Sequence, residues 1–132
     1  MKSTSTKIIL FVSGLILVIV GVGILFMPHD FYESNGTILG SEPGLLSEIR
    51  ASGGLLFVCG IVILIAAFRS SMRTQALALS ALVFLSYGLV RLASMVIDGL
   101  PSTSLVVSAG IELFVGLLCV IALRRHTQYK LV

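Results

Sequence analysis

The chain has 132 residues, 57% of them hydrophobic and only 11% charged, with a formal charge of +3 at pH 7. Soluble domains carry about 25% charged residues, so this composition excludes a water-exposed globular surface. The basic excess sits in short clusters beside apolar segments rather than in one patch, which argues against nucleic acid as a partner.

Four apolar stretches follow one another, at about residues 8–27, 51–68, 75–97 and 104–123. A helix needs ~20 residues to cross ~30 Å of hydrocarbon, and each stretch is close to that length. Spanning β-strands would be half as long and would alternate apolar with polar residues, which these do not. The expected fold class is all-α: a four-helix transmembrane bundle forming one integral membrane domain over residues 1–132. Short connections make consecutive helices antiparallel neighbours, so the bundle should run up-down-up-down.

The first stretch follows Lys2 and Lys7, which resemble the basic start of a signal peptide. Its apolar run exceeds the ~7–15 residues of a signal core, and no alanine precedes Ala51 to make a small-residue cleavage site, so it is expected to be a retained span. Gly14, Gly21 and Gly23 narrow it for close helix contact.

The first connection, residues 28–48, is long for so small a chain, and long loops are often functional. Phe31, Tyr32, Ile38-Leu39 and Leu45-Leu46 suggest that it lies on the bundle mouth, with a turn at Asn35-Gly36. Asn35-Gly36-Thr37 also fits a glycosylation pattern, a short motif that arises easily by chance. The second stretch enters through Glu48 and Arg50 and carries Gly53, Gly54 and Gly60.

A short connection through Arg69 and Arg73 leads to the third stretch, where Tyr87, Arg91, Ser94 and Asp98 share a face by i, i+4, i+7, i+11 spacing. Gly99 and Pro101 mark the next turn, and Ser102 or Thr103 could cap the last helix. On that helix Ser104, Ser108, Glu112 and Gly116 recur at intervals of four. Both polar faces should turn inward. Arg91 and Glu112 each lie about 10–12 Å from the same boundary by helical rise, so a contact between them is geometrically easy.

Charge placement predicts the orientation. Lys2, Lys7, Arg69, Arg73, Arg124, Arg125 and Lys130 fall on one side, and Asp30, Glu33, Glu42 and Glu48 on the other. The positive-inside rule then puts both termini in the cytoplasm. A faint similarity also relates Ser52, Gly54, Gly60, Ala66 and Arg69 to Ser108, Gly110, Gly116, Ala122 and Arg125, which either duplication or glycine-rich composition explains.

Glu48, Arg50, Arg91, Asp98 and Glu112 thus stand in or at the outer ends of apolar segments. An ionisable side chain near a bilayer centre costs about 2.5–3.5 kcal/mol on insertion scales, so such groups pair, line a wet cavity or bind something. The candidate ligand site comprises Arg91 and Glu112, with Glu48, Arg50 and Asp98 at the mouth and Tyr87, Ser94 and Ser108 in support. Together they would form a polar funnel closed below by Leu, Val and Ile. A dry structural pair remains the competing reading.

Catalytic signals are thin. His29 and His126 lie on opposite sides, neither has partners at metal-ligand spacing, and no catalytic triad or cofactor motif is present. No metal, cofactor or catalytic residue is assigned. Cys59 and Cys119 form no C-x-x-C motif and read as apolar fillers.

Three segments resemble a known family. Ser47-Glu48-Ile49-Arg50-Ala51-Ser52-Gly53-Gly54 resembles the S-E-x-R-A-x-x-G start of the second helix in domain-of-unknown-function family 4345, small bacterial membrane proteins that look distantly DoxX-like. Arg91-Leu92-Ala93-Ser94 with Asp98-Gly99-Leu100-Pro101 resembles its R-x-x-S…D-G-x-P stretch, and Glu112-Leu113-Phe114-Val115-Gly116 its E-L-x-x-G. The resemblance implies four spans in a bacterial inner membrane and no activity. The functional expectation is a non-enzymatic membrane protein that binds a lipid, a quinone-like amphiphile or a proton or ion. The alternatives are an accessory subunit of a membrane complex, and a small proton-coupled transporter or lipid or quinol enzyme. Partners would be membrane lipids, an amphiphilic ligand, and a second copy or a complex subunit.

Overall fold

The computed structural model describes residues 2–132, with Lys2 described by its backbone alone. The described residues form helices α1 (Lys2–Phe26), α2 (Pro28–Ser34), α3 (Pro43–Ala67), α4 (Arg73–Asp98) and α5 (Thr103–Lys130), with a 3₁₀ turn at Ser70–Met72 before α4. Each of the four long helices is long and apolar enough to cross a membrane.

Proline sets two of the starts. Pro28 and Pro43 occupy the first turns of α2 and α3, where a missing backbone N–H costs nothing and the fixed φ suits a helix. Residues 28–48 therefore hold a helix and the first turn of α3, and Glu48 and Arg50 stand on α3 itself rather than on a loop. The turn at Asn35-Gly36 forms, with Gly36 at φ +79°, and Gly99 at φ +98° ends α4. Ser102 takes the N-cap position of α5, but its hydroxyl donates to the Asn35 carbonyl at 2.6 Å instead of capping.

The long helices associate as two pairs, α1 with α3 and α4 with α5, and contact between the pairs is much sparser. Glycine explains the closeness within each pair. A Cβ on Gly21 would lie 2.5 Å from the Phe57 backbone nitrogen, and one on Gly60 would lie 2.8 Å from that of Val18. In the second pair, a Cβ on Gly88 or Gly116 would lie 2.7 and 2.6 Å from the side chains of Leu113 and Leu85. Such approaches maximise dispersion contact where lipid provides no hydrophobic drive between helices.

The densest packing lies toward the end that carries the α3–α4 connection. Leu10, Ile63, Leu77 and Cys119 are fully buried there. Ser13 joins them, donating to the Ile9 carbonyl at 2.5 Å with its oxygen 3.7 Å from Cys119 Sγ. Outward-facing positions are apolar as well, including Leu55, Leu82, Val90 and Phe114, each more than half exposed. On a water-exposed protein a surface of this kind would be a large apolar patch.

Candidate functional site

Toward the end of the bundle that carries α2, the two helix pairs separate and enclose a cavity of about 400 Å³. Its apolar walls come from Ile16, Leu17 and Val20 of α1, Leu56 of α3, and Val83 and Phe84 of α4. The short α2 contributes Phe31 and Tyr32. A volume of this size is typical of small-molecule sites, which combine apolar walls with a few placed polar groups.

The polar groups converge from α4 and α5. Arg91 Nε donates to Glu112 Oε2 at 2.9 Å and to Oε1 at 3.2 Å. The spacing of Tyr87, Arg91 and Glu112 predicted an inward face, and all three line the cavity together with Ser108. The Arg91 guanidinium lies 5.9 Å from the Tyr87 ring centroid, within cation–π range. The pair is not sealed in a dry core: the Arg91 and Glu112 side chains remain 32% and 16% exposed. Ser108 donates to the Ser104 carbonyl at 3.0 Å, which satisfies its hydrogen and leaves an accepting oxygen.

The remaining candidates are distributed differently. Ser94 donates to Asp98 at 3.0 Å, and both line a second cavity of about 300 Å³ beside Arg91, near the α4–α5 connection. Arg91 borders both spaces. Glu48 and Arg50 are exposed and line neither cavity. Arg50 Nη1 instead donates to the Leu25 carbonyl, one of the last-turn acceptors of α1 that lack a partner within the helix.

Three polar contributors lay outside the expected site. Ser52, one helical turn before Leu56, has its hydroxyl 3.4 Å from the Tyr87 phenol oxygen. Asn35 closes the rim, bonding the Phe31 carbonyl through Nδ2 at 2.7 Å and accepting from Ser104 through Oδ1 at 2.8 Å. Tyr32 brings a second phenol, whose pKa burial pushes up, with Tyr87 adding to the effect and Arg91 opposing it. The aromatic pair Phe31-Tyr32 was the available signal, since it places two large rings where a loop on the bundle mouth would put them.

Among the described residues no group of three His, Cys, Asp or Glu side chains could hold a metal ion.

The family model for Domain of unknown function (DUF4345) matches residues 5–123. The chain belongs to that family. No curated protein and no solved structure matches it. The family segment encloses both cavities and every candidate site residue.

Proposed function

We propose that this chain is a multi-pass bacterial inner-membrane protein that holds the head of an amphiphile between its two helix pairs. The observation that carries this reading is the cavity of about 400 Å³, apolar over most of its wall, with Arg91, Glu112, Tyr87, Tyr32 and Ser52 converging on it. Its long axis follows from the residues that line it, from Asn35 and Leu105 at the α2 end to Leu17 and Phe84 near the middle of their helices. An amphiphile would place its polar head against the Arg91–Glu112 pair and its chain along the apolar wall.

The registers support an up-down-up-down course. Gly14 meets Gly60 while Gly21 meets Gly53, so the partner number falls as the α1 number rises. Gly88 with Leu113 and Gly116 with Leu85 behave likewise. With the basic clusters in the cytoplasm, the cavity then lies in the outer half of the membrane.

A purely structural pair is the weaker reading, for a specific reason. Arg91 and Glu112 join α4 to α5, which the Gly99–Ser102 connection and the Gly88 and Gly116 contacts already hold together. An ion pair placed to choose between helix partners would link the two pairs instead.

Leu56→Trp tests the proposal by filling the cavity without touching its polar groups. Native mass spectrometry of protein released gently from its own membrane should show a discrete bound mass in the wild type. In Leu56→Trp that mass should fall at least about tenfold, a change of ~1.4 kcal/mol in binding. Equal bound mass in both proteins, or none in either, would overturn the proposal.

A further inference from the structure

The hydrogen-bonding inventory of the cavity points to one chemical class of head group. Arg91 commits Nε to both Glu112 oxygens, and among the described residues its Nη1 and Nη2 groups make no hydrogen bond. The Tyr32 hydroxyl likewise has no acceptor among the described residues, and a phenol keeps its proton at neutral pH. Of the Tyr87 and Ser52 hydroxyls, 3.4 Å apart, one donates to the other and the second keeps a free hydrogen. The guanidinium has five N–H donors and a phenol one, so donors outnumber the acceptors left over, the Ser108 oxygen and the remaining Glu112 lone pairs. Asn35 adds little to either side, because one bond on each side-chain atom leaves it one N–H and one lone pair.

Charge decides the rest. Among the cavity-lining residues the charged groups are Arg91 and Glu112, of opposite sign and already paired. An anionic head would meet Arg91 with the Glu112 carboxylate beside it, and a cationic head would meet the converse. Either would leave water without gaining an unpaired counter-charge, and desolvating an uncompensated charge is costly. A neutral acceptor meets no such penalty and satisfies donors that otherwise remain unmatched.

We infer that the cavity selects an uncharged amphiphile whose head presents carbonyl oxygens. This rests on the amphiphile-binding reading above. Ester lipids and quinone-like rings share that chemistry, and the test separates them.

The experiment presents purified wild-type protein in micelles with five probes and measures adduct abundance by native mass spectrometry. Monoolein is a neutral ester and decylubiquinone a neutral quinone; oleate is anionic, oleylamine cationic, and 1-O-octadecenylglycerol is the ether analogue of monoolein that lacks the carbonyl. At least one of the first two should bind about tenfold more tightly than the other three, and their relative strength identifies the source. Glu112→Gln leaves Arg91 unpaired and should turn the preference toward oleate by a similar factor. Leu56→Trp should abolish whatever binds. Cavity-dependent binding led by oleate, oleylamine or the ether in the wild type would overturn the head-group inference and leave the amphiphile reading standing. Binding that Leu56→Trp does not reduce, or no binding of any probe, would overturn both.

Discussion

The two helix pairs are built on different terms. Between α1 and α3 backbone comes as close as side chains do: Gly21 faces only backbone, the Gly53 carbonyl and Phe57, and Gly14 and Gly60 meet backbone at 3.0 and 2.8 Å beside Leu64 and Val18. Between α4 and α5 the nearest neighbours of the two packed glycines are leucine side chains, Leu113 over Gly88 and Leu85 over Gly116, with the leucine backbone farther off at 3.2 and 3.1 Å. The first pair is a tight apolar wall that contributes mainly Ile, Leu and Val to the cavity. The second is a seam of rotatable side chains that carries Tyr87, Arg91, Ser108 and Glu112. Here α1 and α3 supply most of the apolar wall, and α4 and α5 present the long polar side chains.

The comparison can be broken most severely at Gly21. In Gly21→Ala the new Cβ meets backbone that cannot rotate away, so α1 and α3 must part. The expected loss is about 3 kcal/mol or more, read from unfolding in mixed SDS micelles. A loss below ~1 kcal/mol would mean that the α1–α3 seam yields as readily as a side-chain contact. Gly88→Ala makes the matching intrusion in the second pair, at 2.7 Å from Leu113 Cδ2 and Cγ. Leucine can change rotamer, so the expected cost is nearer 1 kcal/mol by the same assay. The difference between the two variants, rather than either value, measures how unlike the two seams are.

Arg50→Ala should have the smallest effect. Arg50 ties α3 to the end of α1 through the Leu25 carbonyl and lies outside the cavity. Its loss should cost about 1 kcal/mol of stability as a hydrogen bond, with amphiphile binding unchanged. Reduced binding at unchanged stability would return Arg50 to the site.

Much of this arrangement can be read from residue spacing. The i, i+4, i+7 series through Tyr87, Arg91 and Ser94 and the four-residue series through Ser108 and Glu112 mark two polar faces, and helical rise sets Arg91 level with Glu112. Periodicity does not resolve what lies beyond those faces. Ser94 and Asp98 share the Arg91 face by spacing yet border only the second cavity, because two turns of helix carry Asp98 about 10 Å toward the α4–α5 connection. The helical state of residues 28–34 and 43–50 escapes hydropathy, since Pro28 and Pro43 begin helices in stretches that alternate polar and apolar residues. Tyr32 and Asn35 join the site only through the fold of α2 and the bonds from Ser102 and Ser104, which no local pattern encodes.

Methyl-resolved NMR of the protein in nanodiscs, titrated with the tighter binder of monoolein and decylubiquinone, tests the central claim most directly. The wall methyls of Leu56 and Val83 should shift and saturate at low ligand, while those of Leu55, Leu82 and Val90 on the outward surface stay in place. Uniform drift of all five with lipid content, or stationary wall methyls, would contradict a ligand site between the helix pairs.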